Sequence, residues 1–303
     1  MPATLSVAMI ATNEEKNLPR TLEAVKWADE IVIVDSGSID RTPEIARAFG
    51  AKHSFNRDFR GHPEQKTIAI NKCTRDWILL LDADEVVTPE LATEIRQTIQ
   101  NPQYDAYWVP RLNLFMTRWI RHGGFYPDHK LRLWRRGAAR METNVGPHGT
   151  PQYDGPIGTL KHDLVHYAYP NFELYLSHMN DYSSENVYAL VNKGKARSTP
   201  AMLWLAIVNP IATFVKNYFF RLGFLDGVEG LIYHLNHSVY IHWKYVKAWD
   251  SQKRDMRALR DSADAKLPLA ALVAPTGTDK QSESRSAAPA NVETVHSQLQ
   301  NNR

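Results

Sequence analysis

Short, wholly apolar runs alternate with polar, helix-forming stretches through the first part of the chain. Leu5 to Ala11 has the composition of a buried strand, and Thr12, Asn13, Glu14 and Glu15 turn it into a helix expected over Leu18 to Trp27. Ile31 to Val34 is a second strand of the same kind. It runs into Asp35, Ser36, Gly37, Ser38, Ile39, Asp40, Arg41, Thr42 and Pro43, a polar turn able to cap a helix that extends through Ala48. Residues 76–81 supply a later strand. The pattern predicts a βαβα unit, and in an open parallel sheet ligands bind outside the carboxyl ends of the strands, so the three polar strand ends should share one cleft.

The third strand carries the sharpest chemistry. Leu79, Leu80 and Leu81 lead into Asp82, Ala83, Asp84 and Glu85, so two carboxylates leave the sheet edge one residue apart, where a hard divalent cation could bridge them to a diphosphate. A plainer reading is also open, since Thr88, Pro89 and Glu90 look like a helix start and acidic residues often do no more than precede one.

Composition then narrows the classes. The chain has 303 residues, enough to bury a sizeable core in one large domain or a domain with an appendage. Cys73 is the single cysteine, which rules out disulfides within the chain and fits a reducing compartment. No secretory leader is expected, because the first apolar run is cut at once by Asn13, Glu14 and Glu15. A net charge of +3 gives no reason to expect nucleic acid. Its distribution is uneven, however: Arg111, Arg118, Arg121, Lys130, Arg132, Arg135, Arg136 and Arg140 crowd one stretch that could meet an anionic surface or substrate. No repeat, Gly-rich phosphate loop or Cys/His zinc spacing is present. From Ala263 the chain becomes rich in Pro, Ser, Thr, Asn and Gln, and a disordered tail is expected over 263–303.

Taken together, Val34-Asp35-Ser36-Gly37-Ser38 with Asp40 and Thr42, followed by Leu80-Leu81-Asp82-Ala83-Asp84-Glu85, resembles the nucleotide-sugar half of the family 2 glycosyltransferases, inverting enzymes of the GT-A fold. The segments Gly124-Phe125-Tyr126-Pro127-Asp128, Leu131-Arg132-Leu133-Trp134-Arg135-Arg136 and Gly223-Phe224-Leu225-Asp226-Gly227 are similar to the branch that includes lipopolysaccharide core glucosyltransferases. The resemblance spans roughly residues 4 to 250. It implies an α/β architecture: a mostly parallel, Rossmann-like sheet flanked by helices over 1–165, then a helical, membrane-proximal region over 166–262.

The resemblance also implies roles. Asp35 would accept a hydrogen bond from an imide such as uracil N3, beside Ser36, with a turn or capping role as the plainer alternative. Thr12, Asn13 and Glu14 would hold base and ribose, and Lys66 would approach the nucleotide or its phosphates. Asp84 would contact Mg²⁺ or Mn²⁺, with Asp82 nearer the ribose or a metal-bound water, and His166 would complete the coordination. For the base that deprotonates the acceptor, Asp128 comes first, against the alternative of a salt bridge to a neighbouring arginine. Related sequences often carry a His-Glu pair after the arginine-rich strand; this chain reads Gly146-Pro147-His148-Gly149, which leaves His148 or Glu142 as replacements.

Beyond Asn171 the pattern is helical to about Trp249. Ser198 to Val215 is uncharged and approaches the length of a membrane span, but Pro200 and Asn209-Pro210 should interrupt it. Ile211, Phe214, Val215, Tyr218, Leu222 and Leu225 mark one face, with Lys216 and Arg221 elsewhere, and Tyr233, Tyr240, Trp243, Tyr245 and Trp249 suit either a membrane interface or a core. The favoured expectation is an interfacial helix pair; a packed appendage or dimer surface is the alternative. The sequence thus points to a metal-dependent transfer of a hexose from a UDP-sugar to a lipopolysaccharide-core or other lipid-linked glycan, peripherally on the cytoplasmic face of the inner membrane. A polyprenyl-phosphate sugar synthase and a non-catalytic nucleotide-sugar-binding protein are the other readings.

Overall fold

The computed structural model describes residues 1–142, 149–192 and 199–264. Strand β1 (Leu5–Ala11), helix α1 (Leu18–Val25), β2 (Glu30–Asp35), α2 (Thr42–Ala48), β3 (Lys52–Phe55), α3 (His62–Asn71) and β4 (Trp77–Asp82) form the first half. They are followed by β5 (Glu85–Val87), α4 (Pro89–Gln100), β6 (Ala106–Phe115), β7 (Arg118–Ile120), β8 (Asp128–Arg135), the short β9 (Arg140–Met141), β10 (Pro151–Gln152) and β11 (Gly158–Thr159), and β12 (Leu164–Tyr169). Three long helices end the described chain: α5 (Phe172–Asn192), α6 (Thr199–Val215) and α7 (Gly227–Asp264).

The main sheet has the order β3-β2-β1-β4-β8-β6-β12-β5, with β7 and β11 also on β6. It is parallel from β3 through β4 and antiparallel across β4, β8 and β6; β12 returns parallel to β6, and β5 pairs antiparallel at the far edge. This is a GT-A type α/β architecture. Strands covered on both faces must be apolar throughout, which is why β1, β2 and β4 read as continuous hydrophobic runs. Val7, Met9, Ile33, Leu79 and Leu81 face α1 and α4, whereas Ala8, Val32, Ile78 and Leu80 face α3 and Trp134. Thr88 caps α4 by accepting the Leu91 N–H at 3.2 Å, so the helix start read after the acidic triplet is real and coexists with it.

Register fixes the cleft. Ala11 lies opposite Asp35, and Ile10 opposite both Val34 and Asp82, so the strand ends that carry Thr12, Ser36 and Asp84 leave the same edge within about one residue. The buried Glu30 at the start of β2 braces the other end of these strands. It bonds Ser6, Thr74 and Lys52, and these partners outweigh its burial and hold its carboxyl at about 2.

Residues Met1–Asp255 form one compact unit, and the described residues of the second unit, 256–264, are helical. The boundary expected at residue 165 falls inside β12, whose pairing with β6 makes it an integral strand of the sheet. The tail expected to be disordered lies, from residue 265 on, outside the described residues. Helices α5 and α7 pack through Tyr175, Met179, Ile232 and Tyr233 against Phe115 and Ile120. Tyr240 and Trp243 belong to this packing, and Tyr245 and Trp249 pack with Met202 and Ala248, so the core alternative holds for these aromatics.

Pro210 does not interrupt α6 as expected; the helix runs through it to Val215. The break comes later, in a π-helical turn over Lys216–Phe220, then Leu222 at φ 59° and Gly227 at φ 68°. Pro200–Phe220 is, among the described residues, the one helical stretch long and apolar enough to cross a membrane, and only 18% of it is buried in the protein.

Candidate active site

The loops after β1 and β2 are laced to one another. Asn13, in the left-handed conformation at φ 57°, donates its main-chain N–H to Ser38 Oγ and accepts the Ile39 N–H on its side-chain oxygen, both at 2.9 Å. The Glu14 and Glu15 N–H groups go to Thr42 Oγ1 at 2.7 Å and Asp40 Oδ2 at 3.0 Å. Thr12, Asn13, Glu14, Asp35 and Ser36 are therefore brought together. Burial, and then the nearby carboxylates of Asp84, Asp40 and Asp82, push the Glu14 carboxyl up in spite of its bond from Asn17.

Asp35 is fully buried, and both its oxygens have partners. Oδ1 receives the N–H groups of Gly37 and Ser38 at 2.8 and 2.7 Å, and Oδ2 meets His53 Nε2 at 3.0 Å. The turn role, left open by the sequence, is the one this geometry displays. Ser36 Oγ accepts from the buried Gln65 at 3.0 Å, which ties the turn to α3. Lys66, expected at the start of a helix, sits within α3 with its ammonium 2.6 Å from Asp82 Oδ1.

Behind the acidic triplet runs a ladder of alternating charge. Asp82 Oδ2 lies 2.6 Å from Arg132 Nη2, which lies 2.5 Å from Glu85 Oε1; Glu85 continues to Arg111 at 3.0 Å, Arg111 to Asp128 at 2.7 Å, and Asp128 to Lys130 at 3.0 Å. Glu85 is wholly buried and also accepts the Asp82 N–H at 3.1 Å. Burial alone would raise the Asp82 carboxyl, but Lys66 and Arg132 overcome it and hold the group well below the usual carboxylate range. Both Asp82 oxygens thus already have cationic partners, which sets it apart from Asp84 as a metal ligand.

Asp84 is different. Its Oδ2 faces His166 Nε2 at 3.2 Å, and His166 Nδ1 faces Asn113 Oδ1 at 2.8 Å. A carbonyl oxygen can only accept, so Nδ1 donates to Asn113 and Nε2 is left facing the Asp84 carboxylate. At this spacing the two side chains share a proton or turn together to a cation. The Asn113 contact is the outer hydrogen bond that a metal-bound histidine would use. No group of three or more His, Cys, Asp or Glu side chains forms a cage among the described residues. Among the described residues Asp84 and His166 form the candidate pair, which would suit an ion completed by phosphate and water oxygens.

Next to this pair opens a cavity of about 300 Å³, lined among others by Arg111, Asn113, Phe125, Asp128, His166 and Tyr233. Arg111 and Lys130 hold the Asp128 carboxyl below its ordinary range against the opposing effect of burial, so the salt-bridge alternative describes its resting state. Glu142 accepts from Gln152 at 3.1 Å and is not among the residues lining the cavity. His148 lies outside the described residues.

Sequence reading missed Arg111, Arg132, Asn113 and Tyr233. The arginines were visible only as part of a basic stretch that could meet an anionic surface or substrate; in the structure several of them pair with carboxylates of this chain. Arg132 is 5% exposed and Arg111 pairs within the site, while Arg135 and Arg140 pair with Asp105 and Asp154. Simple alternation along β8 could not have separated them, because the register against β6 shifts at Arg132, and Leu131 and Trp134 share one core cluster while Leu133 joins the other.

Comparisons with known proteins bear on the fold and the family. An uncharacterised glycosyltransferase of Rickettsia felis is 31% identical over 248 residues, covering 75% of this chain and 83% of that protein. The lipopolysaccharide core biosynthesis glycosyltransferase LpsC of Rhizobium meliloti is 26% identical over 242 residues, 76% of this chain and 88% of its own. Among solved structures, the mannosyltransferase PcManGT of Pyrobaculum calidifontis, in complex with GDP-Man and Mn²⁺, superposes with a TM-score of 0.51 at 15% identity, covering 82% of this chain and 88% of the other. The family model for Glycosyl transferase family 2 matches residues 6–165, which takes in the ends of β1, β2 and β4, and the chain therefore belongs to that family.

Proposed function

We propose that this glycosyltransferase moves a hexose from a UDP-sugar to a lipopolysaccharide-core or other lipid-linked glycan in a single inverting displacement. The observation that carries the reading is the Asp84–His166 pair, poised at 3.2 Å between the nucleotide-side loops and the cavity that contains Asp128. LpsC supports the acceptor class, and the mannosyltransferase complex supports a nucleotide-sugar donor.

Asp84 and His166 would hold Mg²⁺ or Mn²⁺, which when bound supplies positive charge against that developing on the departing diphosphate. Lys66, beside Asp82, offers its remaining N–H donors to phosphate oxygens, and Thr12, Asn13 and Glu14 hold the nucleoside. Asp35 shapes the base-side turn and orients His53. On the acceptor side, Phe125 and Tyr233 flank the sugar and exclude water, and an Asp128 oxygen takes the proton of the attacking hydroxyl. Arg111 and Lys130 keep Asp128 ionised at the cost of basicity, so the transfer occurs late, as bond formation acidifies the hydroxyl.

A panel of nucleotide sugars with Mn²⁺ tests the reading directly. UDP-sugars should release UDP, slowly to water and faster with a core-oligosaccharide acceptor, and chelation should stop both. Release of no nucleotide from any donor would return the chain to a binding role; label extracted as a polyprenyl phosphate would redirect the acceptor.

Docking to an anionic membrane surface completes this reading. Trp204, Ile207, Ile211, Phe219, Phe220 and Val228 are exposed along α6, the turn after it and the start of α7, and Phe220 is 81% exposed. Lys216 and Arg221 lie exposed beside them, whereas Lys193, Lys195 and Arg197 fall outside the described residues. Apolar insertion to the headgroup boundary with basic flanks is the mode such a face supports, and the cytoplasmic leaflet of the inner membrane is where donor and acceptor would meet. The protein should sediment with phosphatidylglycerol vesicles, high salt should weaken this without abolishing it, and Phe219→Ser with Phe220→Ser should release it more fully than salt, because apolar contact is not screened. Protein left in the supernatant at low salt would favour a packing or dimer surface.

A further inference from the structure

The two glycine-rich motifs around Gly124 and Gly223 meet in space. Asp226 precedes α7, where a carboxylate ordinarily caps the first N–H groups of its own helix. Its side chain turns instead to a loop about a hundred residues earlier. Oδ2 accepts the main-chain N–H groups of Arg121 at 3.1 Å and His122 at 2.8 Å, and Oδ1 meets His122 Nδ1 at 2.7 Å. The Arg221 carbonyl accepts the Gly123 N–H at 2.8 Å.

His234 fills the space between the motifs. It is 1% exposed, and neither ring nitrogen has a hydrogen-bond partner among the described residues. A Cβ on Gly123 would stand 1.8 Å from the ring, and one on Gly223 would stand 2.2 Å from it, so both glycines are required by close approach. Gly123 needs its glycine twice over, since its φ is +75°.

On one side of this junction lies the cavity, where the same loop continues as Gly124, Phe125, Pro127 and Asp128 and packs Phe125 on Tyr233 with ring centroids 4.7 Å apart. On the other side lie the exposed Phe219, Phe220, Leu222, Phe224 and Leu225. We propose that Asp226 and His122 are positioning residues that set the acceptor side of the cavity from the membrane-facing turn, so that docking of the turn on an anionic bilayer steadies the loop carrying Phe125 and Asp128. The inference rests on the membrane reading above. A buried carboxylate holding two main-chain N–H groups of a distant loop fixes that loop rigidly to whatever carries the carboxylate, and the turn that carries Asp226 is the part of the chain that would meet lipid.

Hydrogen exchange of residues 121–128 in the full chain, with and without phosphatidylglycerol/phosphatidylethanolamine vesicles, tests it, with sedimentation measured on the same samples. Vesicles should slow exchange in this segment about tenfold. Asp226→Ala should exchange faster and lose the response, and Asp226→Asn, which keeps an oxygen for the two N–H groups, should recover part of it. Cooperative thermal unfolding reports whether each variant folds; if Asp226→Ala does not, His122→Ala, which removes only the side-chain contact, carries the same comparison. Wild-type protein that sediments with unchanged exchange at 121–128 overturns the coupling alone, as does a folded Asp226→Ala that keeps the full vesicle response. Wild-type protein that does not sediment overturns the membrane reading and this inference with it.

Discussion

Asp84→Asn is expected to lower Mn²⁺-dependent transfer by at least about a thousandfold, roughly 4 kcal/mol of transition-state stabilisation, while leaving the fold intact. Asp84 leaves the sheet at a partly exposed position, and its side chain has no cationic Lys or Arg partner among the described residues, so the amide strands no buried charge. What is lost is the anionic oxygen facing His166 Nε2. An amide in that place is a weaker ligand, and turned around it presents N–H groups to the same position. Steady-state transfer, together with Mn²⁺ binding followed by electron paramagnetic resonance, checks this. A variant with near-normal transfer and Mn²⁺ affinity would remove Asp84 from the metal site.

Arg132→Met is expected to act through the opposite link, costing about 3–5 kcal/mol of folding stability. The Arg132 guanidinium is 5% exposed and bonds both Asp82 and the wholly buried Glu85. Methionine matches much of its volume, so the loss measures charge. Glu85 would keep Arg111 and the Asp82 N–H, and Asp82 would keep Lys66, yet two carboxylates would then share a site that has lost its central cation. Denaturant midpoints at neutral pH should fall accordingly, and Arg132→Met combined with Glu85→Gln should recover a substantial part, because the second change removes the stranded charge. A loss below about 1 kcal/mol, or no recovery in the double variant, would show that the ladder is solvated and of little consequence.

The contrast between these two residues explains what was legible beforehand. Asp84 announces itself, because a carboxylate one residue beyond a leucine run is a local pattern and strand geometry fixes where it points. Arg132 does not. It lies in a basic stretch with Arg135, Arg136 and Arg140, and nothing local says that it turns into the protein while Arg135 and Arg140 meet Asp105 and Asp154 at the surface. Asp35 lies between the two cases: its place at the end of β2 was readable, but not the His53 contact, because that partner arrives from β3 through sheet pairing.

The sequence by itself determined β1, α1, β2, α2 and β4 and the edge on which the chemistry gathers. Continuous apolar runs specify strands buried on both faces, and polar punctuation ends each at the same side. Leu5–Ala11 was read to the residue, and Thr88 was recognised as a helix start. Tertiary structure alone decided which charges cancel, where α6 breaks and what closes the cavity. Asp82 is neutralised by residues from α3 and β8, Pro210 is absorbed within α6, and Tyr233 comes from a helix that follows the family domain. These outcomes depend on contacts between segments tens of residues apart, for which periodicity carries no record. Local pattern fixes backbone conformation and the face each side chain takes, whereas the partner across the cleft is chosen only when the sheet closes.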